Sequence, residues 1–282
     1  IDGSIYSDSV CDHVIWAAAG DEFDVSLFNV IEGVYNAGGP SNFSGNLGAE
    51  AKSKLLVELS ELDQKRAKLA QKKARLILDL ARERLVEGGI KNVETHLRNG
   101  DFVDTVTEFQ DDSDIIIIGK RGEAADFAKM HLGSNLERLI RSTNRPVLVA
   151  ARSFKPINRI LVAFDGGRSS YGAIEYIAAN KRYADLECHI VIAGKDGSRG
   201  HKQSTHAENV LKKAGIRYKV FFERGEAEKV ISDHVEQHSI DLLVMGAYGH
   251  SRIRNLMIGS TTTQMIRSCL VPVLLFREGL TV

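Results

Sequence analysis

The chain of 282 residues contains few cysteines, no surplus of either charge and no long apolar run. Its three cysteines, Cys11, Cys188 and Cys269, are odd in number and widely spaced. This pattern fits neither a disulfide framework nor a zinc knuckle, so we expect core or near-surface thiols.

The charge balance also excludes classes of partner. Lysine plus arginine and aspartate plus glutamate both total 37, so no global field favours nucleic acid or an anionic membrane. No apolar stretch approaches the roughly eighteen residues of a membrane span, and nothing resembles a signal peptide. We therefore predict a cytoplasmic protein that binds neither nucleic acid nor membrane.

Short segments of the first half of the chain recur in the second half. Ile140–Ser142 recurs as Ile266–Ser268, and Pro146–Leu148 recurs as Pro272–Leu274. The pair Asp2-Gly3 recurs as Asp165-Gly166. The sequence is therefore interpreted as an internal duplication that is long enough for two domains of common size.

Each half contains an apolar strand that leads into a helix through glycines. In the second half the pattern is Gly246-Ala247-Tyr248-Gly249, followed by Gly259-Ser260. In the first half it is Gly119-Lys120-Arg121-Gly122, followed by Gly133-Ser134. Glycines let backbone N–H groups face an anion, and the helix start adds unpaired donors. The alternative is that these glycines only make turns.

The spacing G-x2-G-x9-G-S at the end of a strand resembles the ATP-binding signature of the universal stress protein family, and the tandem arrangement covers essentially the whole chain. It is neither a Walker A loop nor the dinucleotide fingerprint. The resemblance implies two tandem domains of the adenine-nucleotide alpha hydrolase-like fold, at 1–152 and 157–282.

Strands alternate with helices throughout, which predicts a doubly wound parallel α/β sheet in each half. Five strands are countable in the second half, and the first strand of the first domain is expected to precede Ile1. The first domain carries a long insertion at about 36–88. It comprises a mobile loop, Asn36–Gly48, and an amphipathic helix at 49–86 whose apolar stripe is Leu55, Leu59, Leu62, Leu69, Leu76 and Leu80. Residues 194–205 read as a second mobile loop.

The resemblance assigns a nucleotide site to the second domain. Asp165 would accept a hydrogen bond from ribose, although an Asx turn is an alternative for this residue. Backbone at Gly194 would contact adenine. The phosphates would be surrounded by Gly246, Gly249, Gly259, Ser260 and Thr261, where Ser260 either caps the helix or bonds a phosphate oxygen.

A weaker site is expected in the first domain. Its counterparts are Asp2, Val30, Gly119, Gly122, Gly133, Ser134 and Asn135. The loop between Gly122 and Gly133 holds Glu123, Asp126 and Lys129, whereas Arg252 and Arg254 lie in the corresponding loop of the second domain. Ser134 and Glu137 also match a capping box, which would satisfy the helix start internally. We therefore predict tighter ATP binding by the second domain.

No other cluster in the sequence predicts catalysis or metal binding. His234 and His238 are four residues apart on a predicted helix, a spacing that suits a metal. No third ligand is identifiable near them, so a surface pair is favoured and no metal site is assigned. No catalytic base for ATP hydrolysis is identifiable, and no catalytic residue is assigned.

Three functions remain open. The first is an ATP-binding regulatory protein of the stress response, at most a weak ATPase, that uses ATP with Mg or Mn and responds through a homodimer or a regulatory partner. The second is a nucleotide-independent dimeric interaction protein, in which the apolar strands Val147–Ala150 and Val271–Phe276 pair between domains or chains. The third is an enzyme that adenylates or otherwise activates a small substrate.

Overall fold

The computed structural model describes residues 1–20, 23–32, 49–122, 133–194, 197–247 and 258–277, with backbone alone at 49–52 and 197–203. The predicted loop Asn36–Gly48 lies outside these residues. Among the described helices, none is both long enough and apolar enough to cross a bilayer.

The first half of the chain contains four strands and four helices in the described residues. They are α1 (Ser7–Ala18), β1 (Asp24–Ile31), α2 (Ala49–Glu87), β2 (Asn92–Asn99), α3 (Phe102–Glu108), a 3-10 turn (Gln110–Asp112), β3 (Ile116–Gly119), α4 (Ser134–Ser142) and β4 (Val147–Ala150).

The second half contains five strands and four helices in the described residues. They are β5 (Arg159–Ala163), α5 (Arg168–Ala179), a 3-10 turn (Lys181–Tyr183), β6 (Glu187–Ala193), α6 (Gly197–Lys213), β7 (Arg217–Glu223), α7 (Ala227–Gln237), β8 (Leu242–Gly246), α8 (Ser260–Ser268) and β9 (Val273–Phe276).

Seven strands form one sheet that joins the two halves, in the order β3-β4-β9-β8-β5-β6-β7. The strands pair in parallel within each half, and β4 pairs with β9 antiparallel. In this seam Leu148 lies opposite Leu274, and Val149 lies opposite Val273. The predicted pairing of the apolar final strands is therefore confirmed, and in this chain it occurs between the halves.

The core lies on both faces of this sheet. Because successive strand residues point to opposite faces, Ile160 and Val162 pack with helices α5 and α6, while Leu161 packs with α7 and α8. All three residues are fully buried. Burial on both faces explains why these strands read as continuous apolar runs, and it confirms the doubly wound α/β class.

In the first half, β1 and β2 form a separate parallel pair. Within the described residues, nothing pairs between β1 and β3, and a groove of about 780 Å³ runs between them. In the second half the corresponding place, between β6 and β8, is filled by β5. The prediction of a strand that precedes Ile1 remains a prediction.

The long helix α2 packs through a different face than its leucine pattern predicts. The side chains of Leu59, Leu62, Leu69, Leu76 and Leu80 are exposed, whereas Ala74, Leu78, Ala81 and Leu85 are buried. The buried set includes alanines, which allow close approach to α1 and β1 but give a weak apolar signal in sequence. Arg84 fixes this orientation, because its guanidinium donates two hydrogen bonds to the Asp12 carboxylate of α1, at 2.8 and 2.9 Å.

The prediction of a mobile loop at 194–205 is wrong for most of its length, since α6 begins at Gly197. Farther along this helix, Ser204, Ala207 and Leu211 recur at three- and four-residue spacing and are fully buried. This buried stripe holds the helix on the sheet, and the polar residues before it continue the same helix.

Candidate functional site

The carboxyl ends of three neighbouring strands meet at one edge of the second half. Ala163, the last residue of β5, lies beside Val191 of β6 on one side and Met245 of β8 on the other. The chain continues from β5 to β6 and β7 in one direction, and β8 lies on the opposite side. Such a change of direction creates a crevice in which open α/β sheets bind ligands. We call this edge the second mouth.

Asp165 lies at the second mouth, two residues beyond β5. Its carboxylate accepts hydrogen bonds from the Gly167 N–H and the Ser170 hydroxyl, both at 2.8 Å. Gly166 between them adopts a left-handed φ of 73°. The Asx turn considered for this residue is therefore present. An exposed carboxylate has about four acceptor positions, and the turn uses two of them, so the turn itself is compatible with ligand binding.

Gly194 directly follows β6 at the same edge. Its N–H donates to the Glu223 carbonyl at 3.0 Å. Within the described part of the chain, a Cβ built on Gly194 meets no heavy atom within 4 Å. The backbone is thus anchored to β7, and the described residues leave room beside the Cα of Gly194, as a contact with a flat base requires.

Helix α8 begins at the second mouth with Gly259 as its N-cap. The Gly259 N–H donates to the Ala247 carbonyl at 3.1 Å, and the Thr262 hydroxyl donates to the Gly246 carbonyl at 3.0 Å. No described side chain caps this helix. Ser260 is therefore the first helical residue and not the cap. It and Thr261 have N–H groups that lack an intrahelical acceptor, at the positive end of the helix.

Three predicted features of this site lie outside the described residues. They are Gly249 and the two loop arginines, Arg252 and Arg254. The structure therefore brings together Asp165, Gly194, Gly246, Gly259, Ser260 and Thr261.

The seven residues predicted for the first half all line the groove between β1 and β3. They are Asp2, Val30, Gly119, Gly122, Gly133, Ser134 and Asn135. Two of the glycines have packing roles there. A Cβ on Gly119 would lie 2.8 Å from the Cβ of Tyr6, and a Cβ on Gly122 would lie 2.9 Å from an Asp2 carboxylate oxygen.

We call the edge of the first half at which these seven residues lie the first mouth. Its charged groups differ from those at the second mouth. The Glu32 carboxylate accepts hydrogen bonds from the Asn135 side-chain amide and the Phe102 N–H, each at 3.1 Å. The Lys120 ammonium donates to the Cys269 carbonyl at 2.9 Å, and burial lowers its pKa. A carboxylate thus lies at the start of α4, while the ammonium of nearby Lys120 is bonded to the Cys269 carbonyl. Sequence reasoning missed Glu32, although its place two residues beyond the predicted site residue Val30 could have indicated it.

The predicted capping box in α4 is wrong. Gly133 is the N-cap and Ser134 the first helical residue, so the Ser134 hydroxyl is one position too late to cap. The Glu137 carboxylate instead lies 3.6 Å from the Arg141 guanidinium. Both α4 and α8 therefore begin at a glycine cap without a described side-chain cap, and the contrast between the halves depends on Glu32.

The expected surface pair of histidines is also wrong. His234 is almost completely buried, and His189 of β6 lies against it with the two ring nitrogens 2.9 Å apart. His189 is the third histidine of this group, and sequence reasoning missed it. Its only signal was a polar residue inside an otherwise apolar strand.

The thiols lie where the sequence predicted them. Cys11 and Cys188 are buried, which raises the pKa of Cys11 to about 11 and that of Cys188 to about 12. Such thiols are inert at neutral pH.

Comparison with known proteins agrees with this architecture. The model of the universal stress protein family matches residues 1–151 and 156–277. A curated universal stress protein of Synechocystis sp. is 39% identical over 279 residues, which cover 98% of this chain and 97% of that protein.

Two crystal structures share the fold along almost the whole chain. A universal stress protein from Archaeoglobus fulgidus has a TM-score of 0.71 at 22% identity, over 98% of this chain and 94% of that one. A putative universal stress protein from Pseudomonas aeruginosa has a TM-score of 0.57 at 19% identity, over 94% and 95%. The resemblance noted in the sequence is confirmed, and the chain belongs to the universal stress protein family.

Proposed function

We propose that this chain is an ATP-binding regulatory protein of the stress response and that it holds nucleotide mainly at the second mouth. The observation that carries the proposal is the start of α8 at the end of β8, where a glycine cap leaves the N–H groups of Ser260 and Thr261 without an intrahelical acceptor. Such a helix start attracts phosphate through both its donors and its dipole.

The other groups suit the rest of the nucleotide. The Asp165 carboxylate, fixed by its turn, would accept a hydrogen bond from a ribose hydroxyl. The open space above Gly194 would receive the adenine ring. A Mg or Mn ion would accompany the phosphates, since ATP carries such a cation in solution. Each group lies beyond the carboxyl end of β5, β6 or β8.

Charge supports the preference for the second half. At the first mouth, the Glu32 carboxylate bonds to Asn135 and so places a negative charge beside the start of α4. In the second half the residue directly after β6 is the uncharged Gly194, and the residue that corresponds to Glu32 by the repeat of Asp2 as Asp165 is Lys195. Repulsion of phosphate is therefore expected in the first half and is relieved in the second.

A regulatory role requires that ATP bind one conformation of the surrounding loops better than another. We propose that hydrolysis is slow or absent, which would let bound ATP persist as a signal. Asp165 is an acidic group at the second mouth. Its carboxylate already accepts the hydrogen bonds of a turn, and an acceptor held in this way does not suit a proton-transfer role.

Calorimetric titration of the full chain with MgATP tests the proposal. Gly259→Val places a branched side chain at the cap of α8 and should weaken binding tenfold or more. The matched variant is Gly133→Val at the cap of α4, where an added Cβ has its nearest neighbours at 3.8 and 3.9 Å. It should fold normally and change ATP affinity little. Equal losses in the two variants, or a larger loss in Gly133→Val, would refute the assignment.

A second candidate function is interaction without nucleotide, which the exposed leucines of α2 favour. Leu69 and Leu76 are 65% and 58% exposed on one face of a 39-residue helix. In this reading the chain forms a homodimer through that face. Sedimentation of the wild-type protein and of the double variant Leu69→Gln/Leu76→Gln tests this second function. If it holds, only the wild-type chain forms a dimer.

A further inference from the structure

Three histidines converge on the α7 face of the second-half sheet. His189 comes from β6, and His234 and His238 come from α7 and the residue that ends it. Each offers a ring nitrogen, and the three nitrogens lie within 4.8 Å of one another. The rings of His234 and His238 stack with centroids 4.1 Å apart. The Phe221 ring packs against all three, so the cluster is partly enclosed by apolar surface.

The outer nitrogens of two of these rings face carboxylates. His189 Nε2 lies 3.3 Å from Glu187 Oε1, and His234 Nδ1 lies 2.8 Å from Glu223 Oε1. Between the rings, His189 Nδ1 lies 2.9 Å from His234 Nε2. The result is a linear chain of three polar contacts that runs from one glutamate to the other.

If both rings are neutral, this chain of three contacts is one proton short. A neutral imidazole has one N–H, and an ionised carboxylate only accepts, so two neutral rings supply two protons for three contacts. If each ring donates to its glutamate, the inner nitrogens of His189 and His234 direct lone pairs at each other. If one ring turns its proton inward, a carboxylate faces a bare nitrogen. Either a third proton or a metal ion completes the arrangement.

Burial favours the metal. His189 and His234 are 2% and 1% exposed, and a buried imidazolium is penalised by desolvation. Burial accordingly lowers the pKa of both histidines. A metal ion between the inner nitrogens lets both rings keep their outer protons on Glu187 and Glu223. Histidines that bind metals in proteins usually donate their other N–H to a carboxylate in this way.

We propose that His189, His234 and His238 bind a Zn²⁺ ion through their ring nitrogens, with Glu187 and Glu223 orienting two of the rings. Imidazole is a preferred zinc ligand, with Zn–N distances of about 2.0–2.1 Å. Two such bonds at a tetrahedral angle require the inner nitrogens to separate by only a few tenths of an ångström beyond 2.9 Å. His238 is only partly buried, so water can reach the fourth position.

The zinc site is separate from the second mouth. His189 precedes Gly194 by five residues of β6, a distance of roughly 16 Å along an extended strand. The Glu223 carbonyl accepts from the Gly194 N–H at 3.0 Å, so the two sites adjoin at the end of β7. Their proposed ligands do not overlap, and either proposal can fail without the other.

Zinc titration of the full chain, without a polyhistidine tag and after removal of metals with a chelator, tests this site. One Zn²⁺ per chain is expected, and Co²⁺ should give the visible absorption of a tetrahedral centre. Glu223→Gln should weaken zinc binding about 10- to 100-fold, and His238→Ala should weaken it at least as much. The matched control is His206→Ala, which removes an exposed histidine of α6 and should change nothing.

Circular dichroism verifies that each variant is folded. The Arg159 guanidinium donates to the His238 backbone carbonyl, which alanine retains. Unchanged zinc affinity in both His238→Ala and Glu223→Gln would overturn the proposal. So would a wild-type chain that binds no zinc and shows an imidazolium at His189 or His234 by NMR, since a shared proton would then complete the chain of contacts. ATP affinity should be the same in His238→Ala as in the wild type.

Discussion

The side-chain amide of Asn135 donates to the Glu32 carboxylate at 3.1 Å, across the mouth of the first half. The Ile1 amine donates to the Phe28 carbonyl as the Phe164 N–H donates to the Val191 carbonyl, so Glu32 corresponds in sequence to Lys195. Asn135 is the second residue of α4 as Thr261 is of α8. The same two positions thus hold a carboxylate with its donor in one half, and a lysine and a threonine in the other. This pair explains how a duplicated fold can present two unlike mouths.

Removal of this charge should improve nucleotide binding by the first half. In the Gly259→Val background, which silences the second mouth, Glu32→Ala should raise the ATP affinity of the remaining site about fivefold. That gain corresponds to about 1 kcal/mol, as expected for a charge near the surface. Calorimetry checks it, with Glu87→Ala as a control that removes an exposed carboxylate outside the groove. A gain of equal size in the control would show only a general effect of net charge.

The seam between β4 and β9 should make the two halves unfold together. Leu148 and Leu274 lie opposite each other and are 1% and 0% exposed. Leu274→Ala should lower the free energy of unfolding by about 3 kcal/mol. Trp16 is the only tryptophan in the sequence, and its ring meets that of Tyr183 in the second half edge-on, with the ring centroids 6.0 Å apart. Its fluorescence therefore reports the unfolding transition.

Leu270→Ala is the control for the seam, because Leu270 is 90% exposed and should contribute almost nothing. A Trp16 transition that does not shift in Leu274→Ala, or that precedes the transition seen by circular dichroism, would mean that the halves unfold separately.

The strand and helix pattern was predictable because it depends on local sequence. The strands that are buried on both faces appear as apolar runs, and β4 (Val147–Ala150) was predicted with its observed bounds. The repeated glycines placed both mouths correctly at the ends of strands. The capping box failed for a local reason too, since a shift of one residue makes Gly133 the cap.

Other features that sequence reasoning missed depend on contacts between distant elements. His189 and His234 are 45 residues apart, and only the packing of α7 on β6 brings them together. Glu32 and Asn135 are 103 residues apart. The buried face of α2 was misassigned because tertiary packing selected Ala74 and Ala81 over the more apolar leucines. No periodicity encodes such pairings.

The N-cap of α3 should make stability depend on pH in acid. The Asp101 carboxylate accepts from Arg138 at 2.7 Å and from the N–H groups of Val103 and Asp104, and the Arg138 contact is the main cause of its lowered pKa. A carboxylate with a lowered pKa stabilises the folded chain above its unfolded pKa of about 3.9. That contribution is lost as the pH falls through the lower folded pKa.

Asp101→Asn isolates this effect, because the amide oxygen still caps α3 but carries no charge. At neutral pH the variant should be less stable by under about 1 kcal/mol, since the ion pair is partly exposed. The difference should shrink as the pH falls below 4. Urea unfolding over a pH series measures it, and a difference that stays constant with pH would mean that charge is not its source.

Asp165 provides the sharpest test of the nucleotide site, because its turn and its proposed contact with ribose can be separated. Asp165→Asn retains an oxygen for the Gly167 N–H and the Ser170 hydroxyl, so stability should change little, whereas Asp165→Ala loses the turn. Hydrogen bonds to a charged acceptor contribute about 1.5–3 kcal/mol. The wild-type chain should therefore bind ATP at least about tenfold more tightly than whichever of 2′-deoxyATP and 3′-deoxyATP lacks the contacted hydroxyl.

In Asp165→Asn this preference for ATP should largely disappear, because the charged acceptor is gone while the turn that positions it remains. Asp2→Asn is the matched variant of the first half, where the Asp2 carboxylate accepts from the Ser4 N–H at 3.0 Å. It should leave the preference intact. Competition calorimetry with the three nucleotides measures each ratio. If Asp165→Asn discriminated among them as the wild type does, the ribose would have to lie elsewhere, and the start of α8 would be binding some other anion.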